Sequence, residues 1–139
     1  MSDSALPNGK ARRGAGLVLL VTAIAAGLGI HYGTPGGTFS DIAGDVLYAV
    51  AAYAVVTVLA PRGKVLLVAA GAGAWCVAIE LFQLTGIPLR LGAAFAPFML
   101  VLGTVFDPRD IVVYAVTVAV VAVLDAAAHA LASRRRVRD

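Results

Sequence analysis

Charge is scarce in this chain. Only 14% of its 139 residues are Asp, Glu, Lys or Arg, where a soluble domain carries nearer a quarter. Cysteine is almost missing too. Cys76 stands alone, which excludes an intrachain disulfide and a thiolate-paired metal site. Its place in an apolar run suits a small buried hydrophobe. There is no Walker loop, no H-E-x-x-H and no serine in a G-x-S-x-G context, so the common nucleotide, zinc-protease and hydrolase signatures are lacking. No internal repeat and no low-complexity linker divides the sequence, and its length allows one small domain.

What the chain has in abundance is hydrocarbon. Sixty per cent of its residues are hydrophobic and its mean hydropathy is +0.91, values that suit a bilayer as the solvent. The formal charge of +3 and a pI near 9.4 could suggest nucleic acid. The cations, however, crowd the two termini and one short loop, the arrangement that membrane orientation produces, so no nucleic-acid partner is expected. Residues 1–14 read as a short disordered cytoplasmic tail. Lys10, Arg12 and Arg13 resemble the n-region of a signal peptide, and Ala23-Ile24-Ala25 a cleavage site. Because further apolar runs follow, an uncleaved first span is the better reading. The runs are Ala15 to Ile30, Ile42 to Ala60, Val65 to Leu84 and Ile111 to Ala132. As helices they measure roughly 24–33 Å, matching a bilayer core of about 30 Å. A basic cytoplasmic tail, 133–139, closes the chain.

The segment Leu91–Phe106 is apolar but short, and Pro97 interrupts it. Charge decides whether it spans. With four spans, Lys10, Arg12, Arg13, Arg62, Lys64 and the arginines from Arg134 to Arg138 share the cytoplasmic side. A fifth span would translocate the terminal arginines, against the positive-inside tendency. The expected fold is therefore all-α. It is an integral membrane bundle of four transmembrane helices, residues 15–132, with a short re-entrant or interfacial segment between the third and fourth. Both termini face the cytoplasm across a bacterial plasma membrane.

Four antiparallel spans bring scattered polar residues to one leaflet. Glu80 lies about four residues, or about 6 Å, inside the third span, and Gln83 is one turn above it on the same face. Asp45 enters the second span, with Asp41 and Tyr48 on its face. Asp110 and Tyr114 begin the fourth, four apart, and His31 ends the first. Arg90 lies in the outer loop, placed to answer the carboxylates. Carboxylates inside a membrane are costly and lean towards function. The candidate ligand-binding set is thus His31, Asp45, Tyr48, Glu80, Gln83, Arg90, Asp110 and Tyr114. Plainer roles stand beside it: Asp41, Asp107 and Asp110 as helix caps, the tyrosines as interface aromatics, and Glu80 with Arg90 as a structural bridge. Asp125 and His129 read as a surface pair near the inner end. Nothing here fixes a reaction, a cofactor or a metal site.

The pieces Gly44-Asp45-Val46-Leu47-Tyr48-Ala49, Glu80-Leu81-Phe82-Gln83-Leu84, Arg90 and Leu102 to Tyr114 (LGTVFDPRDIVVY) carry a resemblance. In order and spacing, from about Asp41 to Asp125, the chain resembles the small bacterial membrane proteins grouped as domain of unknown function 2809. More distantly it is similar to VanZ-like proteins, which carry E-x-x-Q on a span and are associated with teicoplanin resistance and the cell envelope. Where such proteins often have a tryptophan before the last aspartate, this chain has Asp107-Pro108-Arg109. The resemblance implies a multi-span membrane protein and supplies no activity. The function expected is that of a non-catalytic envelope protein whose outer-leaflet pocket takes a membrane lipid headgroup or a small amphiphile. A small transporter, a membrane enzyme acting on a lipid-linked substrate and a pure scaffold are the alternatives.

Overall fold

A computed structural model describes residues 9–138. Six helices follow one another: α1 (Gly9–Gly33), α2 (Thr38–Leu59), α3 (Val65–Gln83), α4 (Ile87–Ala94), α5 (Pro97–Leu102) and α6 (Pro108–Arg138). No strand occurs among the described residues. Helices α1, α2, α3 and α6 are each long and apolar enough to cross a bilayer. At most 28% of the most apolar window of any of them is buried inside the protein. The outward faces carry Leu66, Leu67, Val112, Val116 and Val120. Helices apolar all round are stable only in an apolar solvent, and this is an all-α integral membrane bundle.

α2 is the central helix, packed against α1, α3 and α6, while α3 and α6 also pack on each other. The core they share is built from small and medium side chains: Ala49, Ala52, Tyr53, Val68, Ala72, Cys76, Tyr114 and Val118. In lipid, small residues let backbones approach closely and gain dispersion contacts. Gly16 does this for α1. A Cβ there would stand 3.1 Å from Val58 Cγ2 and 3.4 Å from the Ala54 carbonyl oxygen. Towards the other end of α1 the packing loosens, and nothing lies within 4 Å of a Cβ built on Gly27, Gly29 or Gly33. Cys76 is a free, buried thiol, as its apolar setting suggests.

The segment between α3 and α6 does not cross. At 8 and 6 residues, α4 and α5 reach only about 12 and 9 Å. They fold back on one another as a helical hairpin. Gly86 leads in with φ +68°, a backbone region open to glycine. Pro97 stands in the first turn of α5, where its missing N–H costs nothing. Gly92 allows the two short helices to touch, since a Cβ there would come within 2.4 Å of Met99 Cγ.

The N-terminal tail differs from the sequence expectation. The last six residues of the expected disordered tail, 9–14, are the first turns of α1; residues 1–8 lie outside the described residues. The reason is Arg12, which is 7% exposed and draws the helix start into the bundle. The basic tail 133–138 continues α6 as helix, as its run of good helix formers allows.

Candidate functional site

The end of the bundle that carries the hairpin gathers most of the polar side chains. Glu80 is fully buried. Its Oε1 accepts the Tyr114 hydroxyl at 3.2 Å and its Oε2 accepts the Asp107 backbone N–H at 3.3 Å. The carboxylate thus ties α3 to the start of α6 and to the loop before it. One turn on, the Gln83 side chain donates to the Leu102 carbonyl at 3.1 Å, which fixes its amide. Its Oε1 is buried and has no partner. Tyr48 donates to the Val101 carbonyl at 2.8 Å and accepts the indole N–H of Trp75 at 3.1 Å. Tyr48 and Gln83 therefore clamp the end of α5 onto α2 and α3.

Arg109 is the cation of this cluster. Its guanidinium donates to Asp110 Oδ1 at 3.2 and 3.3 Å and lies 3.7 Å from Asp107 and 4.0 Å from Asp45. At 4.0 Å Asp45 Oδ2 is not hydrogen-bonded, and that buried atom has no other partner. Asp107 caps α6, accepting the Arg109 N–H at 2.9 Å. This bears out one capping role read from the sequence. Asp41 does not cap α2. Ser40 does so instead, accepting the Gly37 N–H at 3.0 Å.

Two cavities adjoin here. One, about 530 Å³, is an apolar groove between α1, α2 and α5, walled by Ala23, Ile24, Gly27, Leu28, Leu47 and Leu100 among others. The second, about 390 Å³, is polar and is lined by Asp41, Asp45, Asp107, Arg109 and Asp110 together with the residues from Gly103 to Phe106. Asp45, Gln83, Gly103 and Tyr114 belong to both walls.

Of the residues singled out from the sequence, Asp45, Gln83, Asp110 and Tyr114 line one or both cavities, and Tyr48 lines the groove. His31 reaches the groove from the end of α1 but is exposed, with its ring set nearly perpendicular to that of Tyr32. Glu80 lines neither cavity. It stands behind the wall and positions Tyr114 and Asp107. Arg90 corrects the sequence reading: it is exposed and makes no ion pair with a described residue. α4 buries Pro88 and Gly92, and Arg90 lies about 200° around the helix from each, pointing away from the bundle. Arg109 takes the place expected of it. The signal was its position in Asp107-Pro108-Arg109-Asp110, between two carboxylates in sequence.

The opposite end holds a polar knot. Arg12 donates to Asp125 Oδ2 at 2.6 Å and to the carbonyls of Pro61 and Gly63. Tyr53 donates to the same Asp125 oxygen at 2.7 Å, and His129 Nδ1 lies 3.4 Å from the other. Asp125 thus pairs with His129 as its spacing suggests, and it is also a junction of α1, α2 and α6.

The backbone around Gly103 makes one local prediction. Its φ is +65°, and a Cβ there would stand 2.2 Å from Gln83 Nε2. Gly103→Ala must strain the turn and break the Gln83–Leu102 bond, costing roughly 1–3 kcal/mol. Thermal unfolding in detergent should show the loss, with the hairpin's amides exchanging faster than those of α2.

Fold and site together define a multi-span membrane protein with a polar cluster at one end of its bundle. The chain belongs to a family described as protein of unknown function (DUF2809), whose model matches residues 36–118. That span takes in Asp41 to Tyr114, and with them the hairpin-end cluster, whereas Arg12, His31 and Asp125 fall outside it. No curated protein and no solved structure matches the chain.

Proposed function

We propose that the protein is a non-catalytic binder of a single amphiphile, with the headgroup in the polar cavity and the hydrocarbon chain in the groove. One observation carries this reading: the two cavities share the wall formed by Asp45, Gln83, Gly103 and Tyr114. Ligand sites commonly combine an apolar body with a few convergent polar groups, and an amphiphile has that same division. Nothing lies within 4 Å of a Cβ on Gly27 in the groove wall, which leaves room there for a hydrocarbon chain.

The gathering of Lys10, Arg13, Arg62, Lys64, Arg134 and Arg135 at the far end supports a cytoplasmic location for both termini. The site then faces the outer leaflet of a bacterial plasma membrane, and the role is one in the cell envelope. Transport is less well supported. Between the polar cluster and the Arg12–Asp125 knot lies the buried core around Val68, Ala72 and Cys76, packing that a polar solute would have to open.

Filling the groove tests the proposal. Gly27 and Gly44 both line it, and nothing lies within 4 Å of a Cβ at either. Gly27→Leu and Gly44→Leu should therefore fold as well as or better than the parent, because leucine favours helix by about 1 kcal/mol over glycine. Native mass spectrometry of the parent in nonionic detergent should show one retained amphiphile per chain, and either variant should lose it. Equal retention in both variants would remove the groove from consideration.

A further inference from the structure

The charge and hydrogen-bonding state of the polar cavity narrows the ligand. Four aspartates, Asp41, Asp45, Asp107 and Asp110, line it with one guanidinium, that of Arg109. Several donors that could greet an anion are already engaged. Arg109 bonds Asp110, the Arg109 N–H is taken by the Asp107 side chain, and the Asp107 N–H by Glu80. The Tyr114 and Tyr48 hydroxyls donate to Glu80 and Val101.

Among the buried side-chain atoms of the wall, those without a partner are acceptors. Gln83 is 7% exposed, its amide is held by Leu102, and its Oε1 has no donor. Asp45 Oδ2 is likewise without one. Buried acceptors without donors cost about 1–3 kcal/mol each, and a ligand that supplies donors recovers that. Both residues form part of the wall common to groove and cavity.

We infer that the headgroup taken by this site is a protonated amine. This rests on the amphiphile-binding reading. An ammonium offers three N–H donors and a positive charge, enough for Asp45 and Gln83 together with a third acceptor. It reaches Asp45 by displacing the Arg109 guanidinium, which lies at 4.0 Å without a hydrogen bond and already pairs with Asp107 and Asp110. The Arg109 side chain is 38% exposed, so it has room to swing. Arg109 thus acts as the cation that holds the empty site and competes with the ligand.

Trp75, the chain's one tryptophan, bonds Tyr48 in the groove wall, and its fluorescence reports occupancy. The full chain in maltoside micelles is titrated with hexadecylamine, hexadecanol and hexadecyl phosphate, and Gly27→Leu gives the signal of the micelle alone. Hexadecylamine should bind saturably and at least tenfold more tightly than the other two. Asp45→Asn should bring amine and alcohol within about threefold of each other. Arg109→Gln should tighten amine binding several-fold, which guards against a fold defect in the Asp45 variant. Phosphate binding as tight as amine binding, or equal binding of amine and alcohol, would overturn the amine inference and leave the amphiphile reading standing. Absence of saturable binding by all three would overturn both. A further arm uses lysophosphatidylethanolamine. Binding like hexadecylamine assigns the ammonium to a lipid headgroup, and rejection assigns it to a phosphate-free amine; each agrees with the inference.

Discussion

Arg12→Ala should destabilise the bundle by on the order of 3–5 kcal/mol, the usual cost of removing one partner from a buried ion pair. The Arg12 and Asp125 side chains are 5% and 17% exposed. Without the guanidinium, Asp125 keeps only the Tyr53 hydroxyl and the nearby His129 imidazole, and the carbonyls of Pro61 and Gly63 lose their donor. Arg12→Lys should fall between parent and alanine. A lysine carries the charge but lacks the planar fork that serves Asp125 and two carbonyls together. Unfolding in mixed micelles measures both variants. A double-mutant cycle with Asp125→Asn should give a coupling of roughly 2 kcal/mol or more; a coupling near zero would mean that the pair is solvated and adds nothing. The effect should also travel. α1 supplies Ala23, Ile24, Gly27, Leu28 and His31 to the groove, so loosening its anchored end should weaken amphiphile binding more than tenfold although Arg12 touches neither cavity.

Why Arg12 was hidden in the sequence, while Glu80 was not, is a matter of where each stands against the apolar run. A carboxylate inside hydrocarbon stands out. Its spacing to Gln83, and the antiparallel order of the spans, suffice to bring Asp45, Asp110 and Tyr114 to the same end. Arg12 stands among other cations just before the first run, where flanking charge has an ordinary topological explanation. Its burial depends on the turn at Pro61–Gly63 and on Asp125, 113 residues away. Asp125 itself, the sole carboxylate of the Ile111–Ala132 run, was a sign that a cation had to meet it. Arg90 and Arg109 were exchanged for a different reason. Charge and proximity in the loop allow either to face the carboxylates. The choice is made by the rotation of α4, which follows from Pro88 and Gly92 packing inward, and no periodicity in an eight-residue helix reveals that in advance. The division of the site into groove and polar cavity was also illegible, because it depends on how the hairpin seats against α1, α2 and α6, which no spacing in the sequence encodes.

Glu80→Ala should cost about 2–6 kcal/mol, since it leaves two buried donors, the Tyr114 hydroxyl and the Asp107 N–H, each worth about 1–3 kcal/mol unsatisfied. Glu80→Gln should cost no more than about 1 kcal/mol. Its carbonyl can accept the Asp107 N–H while its amide donates to Tyr114, whose hydroxyl turns to accept. The contrast separates two roles for a carboxylate in a membrane. If Glu80 serves as a hydrogen-bond junction, glutamine preserves both the fold and amphiphile binding, because Glu80 lies behind the wall and not in it. If its negative charge holds the ligand directly, glutamine keeps the fold and loses binding. The junction role is the expected result. Thermal unfolding and the Trp75 titration of the same two proteins decide between them, and a glutamine variant as unstable as the alanine would show that the bonding at Tyr114 and Asp107 requires the ionised group.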